Sequence, residues 1–222
     1  MPDRQLIVQA HSDQAIRLGS TNLAAKAQSR GVPTEIVDFP APGDHQAMHK
    51  LVDAVGKLTP QSRLYLRGHG SWRDQTVGGV DARDWARTLL NAGLRRVAVI
   101  SICACQAARD LGSSDACRIS ASADSFASKF HRYVREMGNW HENVPLYARV
   151  YLVMVRSQAH QLGVKHTGDR VIGPQHRRPK SKLLFTWVNG HQKREWVDYA
   201  HGGTASIEED LAIADMMAIE ID

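Results

Sequence analysis

Cysteine is scarce in this chain of 222 residues: three thiols, Cys103, Cys105 and Cys117, crowd into one short stretch. Three are too few for a disulfide framework, and no Cys/His set has the paired spacing of a zinc site, so reduced thiols and no bound metal are expected. Long apolar runs are missing as well. Arg4 precedes only Leu6-Ile7-Val8 before polar residues resume, which makes no signal-peptide core, and no apolar run of about 18 residues occurs anywhere. The expectation is a soluble protein with no membrane partner, exported, if at all, without a cleaved leader. Charge of one sign is not in large excess either. With 28 basic and 23 acidic residues the net charge is +5, too modest to argue for a nucleic-acid partner. No internal repeat or low-complexity tract is present.

What is there is enough apolar sequence, 43% of residues, to bury a full core, and the length favours one domain. Residues 1–200 read as that domain. Residues 201–222 read as an acidic tail, because Glu208, Glu209, Asp210, Asp215, Glu220 and Asp222 fall in a stretch with no Lys or Arg. The opposite charge collects just before. From Lys165 to Lys182 the chain carries Lys165, Arg170, Arg177, Arg178, Lys180 and Lys182 against the single acid Asp169, a segment that suits either an anion or a solvent face.

Periodicity predicts alternating strands and helices. Gln5 to Ala10 is a short buried strand, and Ser12 is the expected N-cap of a helix whose Ile16, Leu23, Ala24 and Ala27 recur at helical spacing until Gly31. Thr34 to Phe39 is a second strand, followed by a Pro/Gly loop and a helix from His45 to Lys57. Arg63 to Arg67 is strand-like and runs into Gly68-His69-Gly70-Ser71. Asp81 caps a helix from Ala82 to Asn91. Val97 to Ile102 is a continuous apolar run, suited to a central strand buried on both faces, and it ends at Cys103-Ala104-Cys105. Ser122 to Glu136 is helical, with Phe126, Phe130, Tyr133 and Val134 on one side. Tyr147 to Val155 is a strand, and Leu183 to Val188 with Asn189-Gly190 is one arm of a hairpin. The fold class is therefore α/β: a sheet layered by helices, with a β-hairpin flap over about residues 157–190.

In open α/β sheets the reactive groups gather at the carboxyl ends of strands. Two strands here end in reactive side chains, His69 after one and Cys105 after the other. A thiolate can attack a carbonyl and an imidazole can protonate the leaving amine. A glycine lets a substrate backbone approach, so the N–H groups of Gly70 and Cys105 are candidates to hold an oxyanion. A lone Cys at a strand end is more often a small buried hydrophobe, and Cys103 and Cys117 are assigned to that class. The joint pattern of apolar strand, His-Gly, spacer helix, apolar strand, small residue and Cys sets Cys105 apart.

LYLRGHGS and VAVISICACQ resemble the two signature blocks of clan CD cysteine peptidases, in which Ala or Gly precedes the nucleophile, as Ala104 precedes Cys105 here. The likeness is greatest to the inositol-hexakisphosphate-activated autoprocessing domain of MARTX toxins, with the large clostridial toxins more distant. QLIVQ with NLAAK, VGGVDARDWARTL, SFASKF, GVKHTGD and KLLFTW extend it over most of the chain.

The resemblance implies a caspase-like fold and a cysteine endopeptidase with Cys105 as nucleophile and His69 as its partner. It implies cleavage after a large aliphatic residue such as Leu, in its own parent chain or in another protein. It names no third residue to orient the histidine. It assigns inositol hexakisphosphate as activator, held by Lys26, Arg63, Lys165 and Lys182, while Ala27 and Val164 stand where that family carries a base. A bacterial toxin or effector acting in a host cytosol is the setting it suggests. Two other readings stay open on the residues alone: an inactive caspase-like module that senses polyphosphate or a protein partner, and a hydrolase-like or transferase α/β fold in which the His-Gly and Cys blocks coincide by chance.

Overall fold

A computed structural model describes residues 2–39, 44–111, 122–150 and 182–197. Cys117, Lys165, most of the flap and the acidic tail lie outside the described residues. The elements run β1 (Gln5–Gln9), α1 (Gln14–Gln28), β2 (Thr34–Asp38), α2 (His45–Val55), β3 (Arg63–Arg67), β4 (Gly70–Ser71), β5 (Thr76–Val77), β6 (Val80–Asp81), α3 (Ala82–Asn91), β7 (Val99–Cys103), α4 (Phe126–Gly138), β8 (Leu146–Arg149), β9 (Lys182–Val188) and β10 (His191–Trp196). Among the described residues seven strands form one sheet in the order β10-β9-β8-β7-β3-β1-β2. From β2 across to β8 the pairs are parallel, and β9 and β10 close the sheet as an antiparallel hairpin. This is the α/β sheet that the sequence predicts.

The order of strands follows from handedness. A right-handed crossover from β1 outward to β2 places α1 on one face, and the return from β2 past β1 to β3 places α2 on the other. The sheet then grows in one direction, so α3 and α4 join α2. Two cores result. Leu6, Val8, Leu64, Leu66, Ile100 and Ile102 face the α2, α3 and α4 side with Leu51, Trp85, Leu89, Phe126 and Phe130. The alternate residues Ile7, Tyr65 and Cys103 pack with Leu23 and Ala24 of α1. Because the chain reverses its direction of travel at β1, the connections leaving the carboxyl ends of β1 and β3 part to opposite faces there, which opens a crevice.

Local signals agree with most of the predicted boundaries. Asp81 caps α3 through the Asp84 amide, as the sequence indicates, and Ser125 caps α4 through that of Ser128. The hairpin between β9 and β10 turns on Asn189 and Gly190, both at positive φ (51° and 79°), the conformation an Asn-Gly hairpin turn requires. The central strand is shifted from the apolar run: β7 starts at Val99, with Val97 buried before it, and includes Cys103 at its end. The three-stranded sheet β4-β5-β6 was not legible, since each strand has two residues. It is fastened from below by Trp85, which is buried and donates its indole N–H to the Val77 carbonyl at 2.7 Å.

One N-cap differs from expectation. Asp13, not Ser12, caps α1, accepting the amides of Ala15 and Ile16 at 3.0 and 3.1 Å. A carboxylate satisfies two of the four orphan amides of the first turn and complements the helix dipole, which a hydroxyl does less well.

Beneath the hairpin, His131 of α4 is buried and bonds the Val144 carbonyl through Nε2 at 2.8 Å, while Nδ1 accepts from Gln192 of β10 at 3.1 Å. Burial pushes its pKa down to about 4, with the Val144 carbonyl opposing and Arg135 adding to the shift. An unfolded histidine titrates near 6.5. The unfolded chain therefore binds more protons than the native one between those values, and His131 favours unfolding as pH falls through that window, by up to about 3 kcal/mol. Thermal melts should show stability falling from pH 7 to 4.5, and His131→Gln, which cannot titrate, should flatten that slope.

Candidate functional site

The parallel register aligns the carboxyl ends of β1, β3 and β7: Gln9 pairs with Arg67, and Arg67 with Cys103. The segments leaving these three strands therefore meet at one edge. After β1 come His11 and Asp13, after β3 His69 and Gly70, and after β7 Cys105.

Two of the sequence-predicted residues are pressed together. A Cβ added to Gly70 would lie 2.1 Å from the Cys105 carbonyl oxygen and 3.1 Å from its amide nitrogen, so only a residue without a side chain fits there. Cys103 is fully buried, whereas Cys105 is partly exposed and lies against the Ile7, Leu23, Ala24, Tyr65 and Cys103 cluster. The Cys105–Ala108 turn has its second residue, Gln106, at φ 53°. A non-glycine residue in the left-handed region costs on the order of 1 kcal/mol, and such residues gather where a side chain must be aimed. The turn is held by its neighbours, Ala108 N–H donating to the Arg149 carbonyl at 2.8 Å and Ala127 N–H to that of Ala107 at 2.8 Å.

His69 has a partner that stands far from it in sequence. Its Nε2 lies 2.8 Å from Asp13 Oδ2. The resemblance implies no third residue, and the geometry places a carboxylate on the ring. Asp13 divides its oxygens between two tasks, Oδ1 on the first amides of α1 and Oδ2 on the imidazole. Burial pushes its carboxyl up, but the Ile16 amide, His69 and the Ala15 amide outweigh that and hold it below the ordinary aspartate value. The missed signal was positional: an acid just past β1 gains meaning only once β1 is known to lie beside β3. His69 is further fixed by its carbonyl, which accepts from Gly78 N–H at 2.8 Å. Its own amide donates to His11 Nδ1 at 3.3 Å.

The cationic residues are arranged differently. Alternation along the strands puts Arg63, Tyr65 and Arg67, then Ser101 and Cys103, then Tyr147 and Arg149, then Lys182 on the face that α1 partly covers. Along that face Arg63 stands at the start of β3, while Lys182 pairs with Arg149 at the opposite end. With about 3.3 Å per residue along a strand and about 4.8 Å between strands, the two backbones are roughly 20 Å apart. Their side chains bend inward. Arg63 donates to the Tyr65 hydroxyl at 3.2 Å, and the Lys182 ammonium lies 4.2 Å from the Tyr147 ring centre. Tyr65, Ser101 and Tyr147 form one row across three strands. Lys26 sits in the last turn of α1, and Ala27 beside it is buried. Among the described residues no cluster of three or more His, Cys, Asp or Glu is placed to hold a metal ion, and no helix is long and apolar enough to cross a membrane.

Comparison with known proteins yields one match. The model of the peptidase C80 family covers residues 2–172, which spans β1, the His69 and Cys105 blocks and every strand of the parallel ladder. No curated protein and no solved structure matches the chain. With a parallel sheet, a glycine-bounded histidine and a cysteine brought together at its carboxyl edge, and a family model spanning most of the sequence, the chain belongs to the peptidase C80 family, the clan CD cysteine peptidases of MARTX and other large toxins.

Proposed function

We propose that the chain is a cysteine endopeptidase in which Cys105 is the nucleophile, His69 the acid–base group and Asp13 its orienting partner. The observation that carries this is the packing of Gly70 on Cys105, which joins the histidine loop and the cysteine turn into one site. Asp13 on Nε2 favours the tautomer with its proton there, leaving Nδ1 for the reaction. The Cys105 thiolate attacks the scissile carbonyl to form a C–S bond, and the oxyanion is held by the amides of Gly70 and Cys105. His69, holding the proton on Nδ1, gives it to the departing amine as the C–N bond breaks. Water then adds to the thioester, its proton passes to Nδ1, and the acid and free thiolate are released.

The substrate is a peptide or protein cut after a large aliphatic residue such as Leu, in the parent chain or in another protein. A thiolate works in a reducing compartment, in keeping with a toxin or effector active in a host cytosol. Inositol hexakisphosphate is the proposed activator. Its support is the row Tyr65-Ser101-Tyr147, with Arg63 and Lys182 bent toward it from opposite ends of one sheet face. The row spans about 10 Å, a distance several phosphates on one ring can bridge through charge-assisted hydrogen bonds. Lys26 and Lys165 complete the proposed set.

Turnover of a Leu-containing peptide should vanish in Cys105→Ala and His69→Ala with the fold retained, and persist in Cys103→Ala apart from any loss of stability. A dead Cys103→Ala beside an active Cys105→Ala would move the nucleophile. Gly70→Ala should be nearly inactive, since the added carbon must displace the Cys105 backbone. Asp13→Asn keeps a good helix cap but offers His69 an amide donor or an uncharged acceptor. We expect kcat to fall about a hundredfold or more while the melting temperature moves little, and a wild-type kcat would remove Asp13 from the mechanism.

For the activator, inositol hexakisphosphate should raise both the melting temperature and the rate at which a peptidyl electrophile labels Cys105, because a ligand favours the state it binds better. Arg63→Ala with Lys26→Ala should lessen both effects, and raised salt should act the same way. Lys182 is buried, so Lys182→Met, which keeps the stem over Tyr147, is the informative change there. Calorimetry without binding heat, together with ligand-independent cleavage, would leave the peptidase without this switch.

A further inference from the structure

The ladder between β1 and β3 ends with the Ala10 amide donating to the Arg67 carbonyl. Beyond it His69 stands between two glycines, Gly68 and Gly70, where the backbone has little conformational restraint of its own. Its position must be imposed from outside. Asp13 holds the ring and Gly78 holds the carbonyl, but the His69 amide has left the sheet and needs an acceptor. That acceptor is the ring of His11, whose Nδ1 lies 3.3 Å from the His69 nitrogen. The two rings also pack edge to face, with centroids 4.8 Å apart and planes at 61°.

We propose that His11 is a positioning residue for His69: in its neutral form, with the proton on Nε2, it holds the His69 amide and braces the imidazole between Asp13 and Cys105. This rests on the reading of His69 as the acid–base group. An imidazole nitrogen accepts a hydrogen bond only when it carries no proton. Protonated His11 would turn Nδ1 into a donor facing another donor, and would place a cation against the ring of His69.

The groups acting on His11 favour the neutral form. Burial comes first and the nearby His69 second in pushing its pKa down, with the Asp13 carboxylate opposing them. Asp13 belongs to the cap of α1 and His69 to the loop after β3. Cys105 closes the site from the end of β7. The acceptor is supplied by the segment just past β1, the strand beside β3, at the point where the connections diverge, so the register that places Asp13 on the ring also places His11 on the backbone.

Three measurements test this. Iodoacetamide reports thiolate reactivity whatever the peptide pocket, and an acyloxymethyl ketone with Leu next to the reactive carbon reports the aligned site; both are run with and without inositol hexakisphosphate. His11→Phe keeps a ring and loses the acceptor. His11→Asn puts an amide oxygen where Nδ1 stands. With the ketone, the maximal inactivation rate should fall about tenfold or more in His11→Phe, since a small misplacement of an acid–base group is costly, while the half-saturating concentration holds. His11→Asn should recover most of the rate, and its rate should decline less steeply on the acid side because position 11 no longer titrates.

Hydrogen exchange of the His69 amide should be fast in His11→Phe and protected in wild type and His11→Asn. Nitrogen NMR of the wild type should find His11 unprotonated on Nδ1 at pH 7.5. A proton on Nδ1 there, or a His11→Phe variant with wild-type inactivation kinetics, overturns the inference. Wild type that neither reagent labels at Cys105 would sink the peptidase reading instead, and the exchange and tautomer measurements would still decide whether His11 holds His69. If His11→Phe does not fold, His11→Asn and the wild-type spectra decide alone.

Discussion

Parallel pairing is the constraint on which this structure depends. In a parallel sheet every strand points its carboxyl end to the same edge, so the segments leaving β1, β3 and β7 have to meet whatever their separation in sequence. Register then sets how they meet. Gln9, Arg67 and Cys103 stand abreast, which leaves Asp13, His69 and Cys105 within a few residues of one line. The apolar faces on both sides of these three strands hold that register, because a slip of one residue would send Ile7, Tyr65 and Cys103 into the core of Leu6, Leu64 and Ile102.

Within that edge the Asp13 carboxylate couples two structures that otherwise have no reason to know of each other. One oxygen ends a helix and the other holds a ring. The amides at the head of α1 help to keep the Asp13 carboxylate ionised, and as a carboxylate it can accept a hydrogen bond from a ring nitrogen that carries a proton. The Gly70–Cys105 contact supplies the other half of the site, since the absence of a side chain lets two turns share one space.

The far side of the molecule has a different character. There the antiparallel hairpin β9–β10 joins the parallel ladder at β8, and the face toward α1 changes from apolar to cationic and aromatic, with Lys182 and Arg149 buried beside Tyr147. Buried cations are costly unless charge or aromatic faces compensate them. The carboxyl edge where His69 and Cys105 stand and this basic face are built from neighbouring strands of one sheet.

Much of this was legible in the chain. The periods of 3.6 and 2 located α1, α3, α4 and the strands around them, the His-Gly and Ala-Cys blocks marked two of the turns that meet at the carboxyl edge, and Asn189-Gly190 marked the β9–β10 hairpin. These are local signals, carried by propensity, alternation and turn chemistry within a few residues. Asp13 and His11 were not legible, nor was the small sheet β4-β5-β6. Ser12 competes with Asp13 as the cap of α1, and a histidine just past a strand carries no signal of its own, until strand order puts β1 next to β3. Sequence thus determined the elements and the reactive residue types, because each depends on its own neighbours. Tertiary structure alone decided which of those residues share a site, because adjacency across a parallel sheet is fixed by crossover handedness and register, to which no short stretch of chain bears witness.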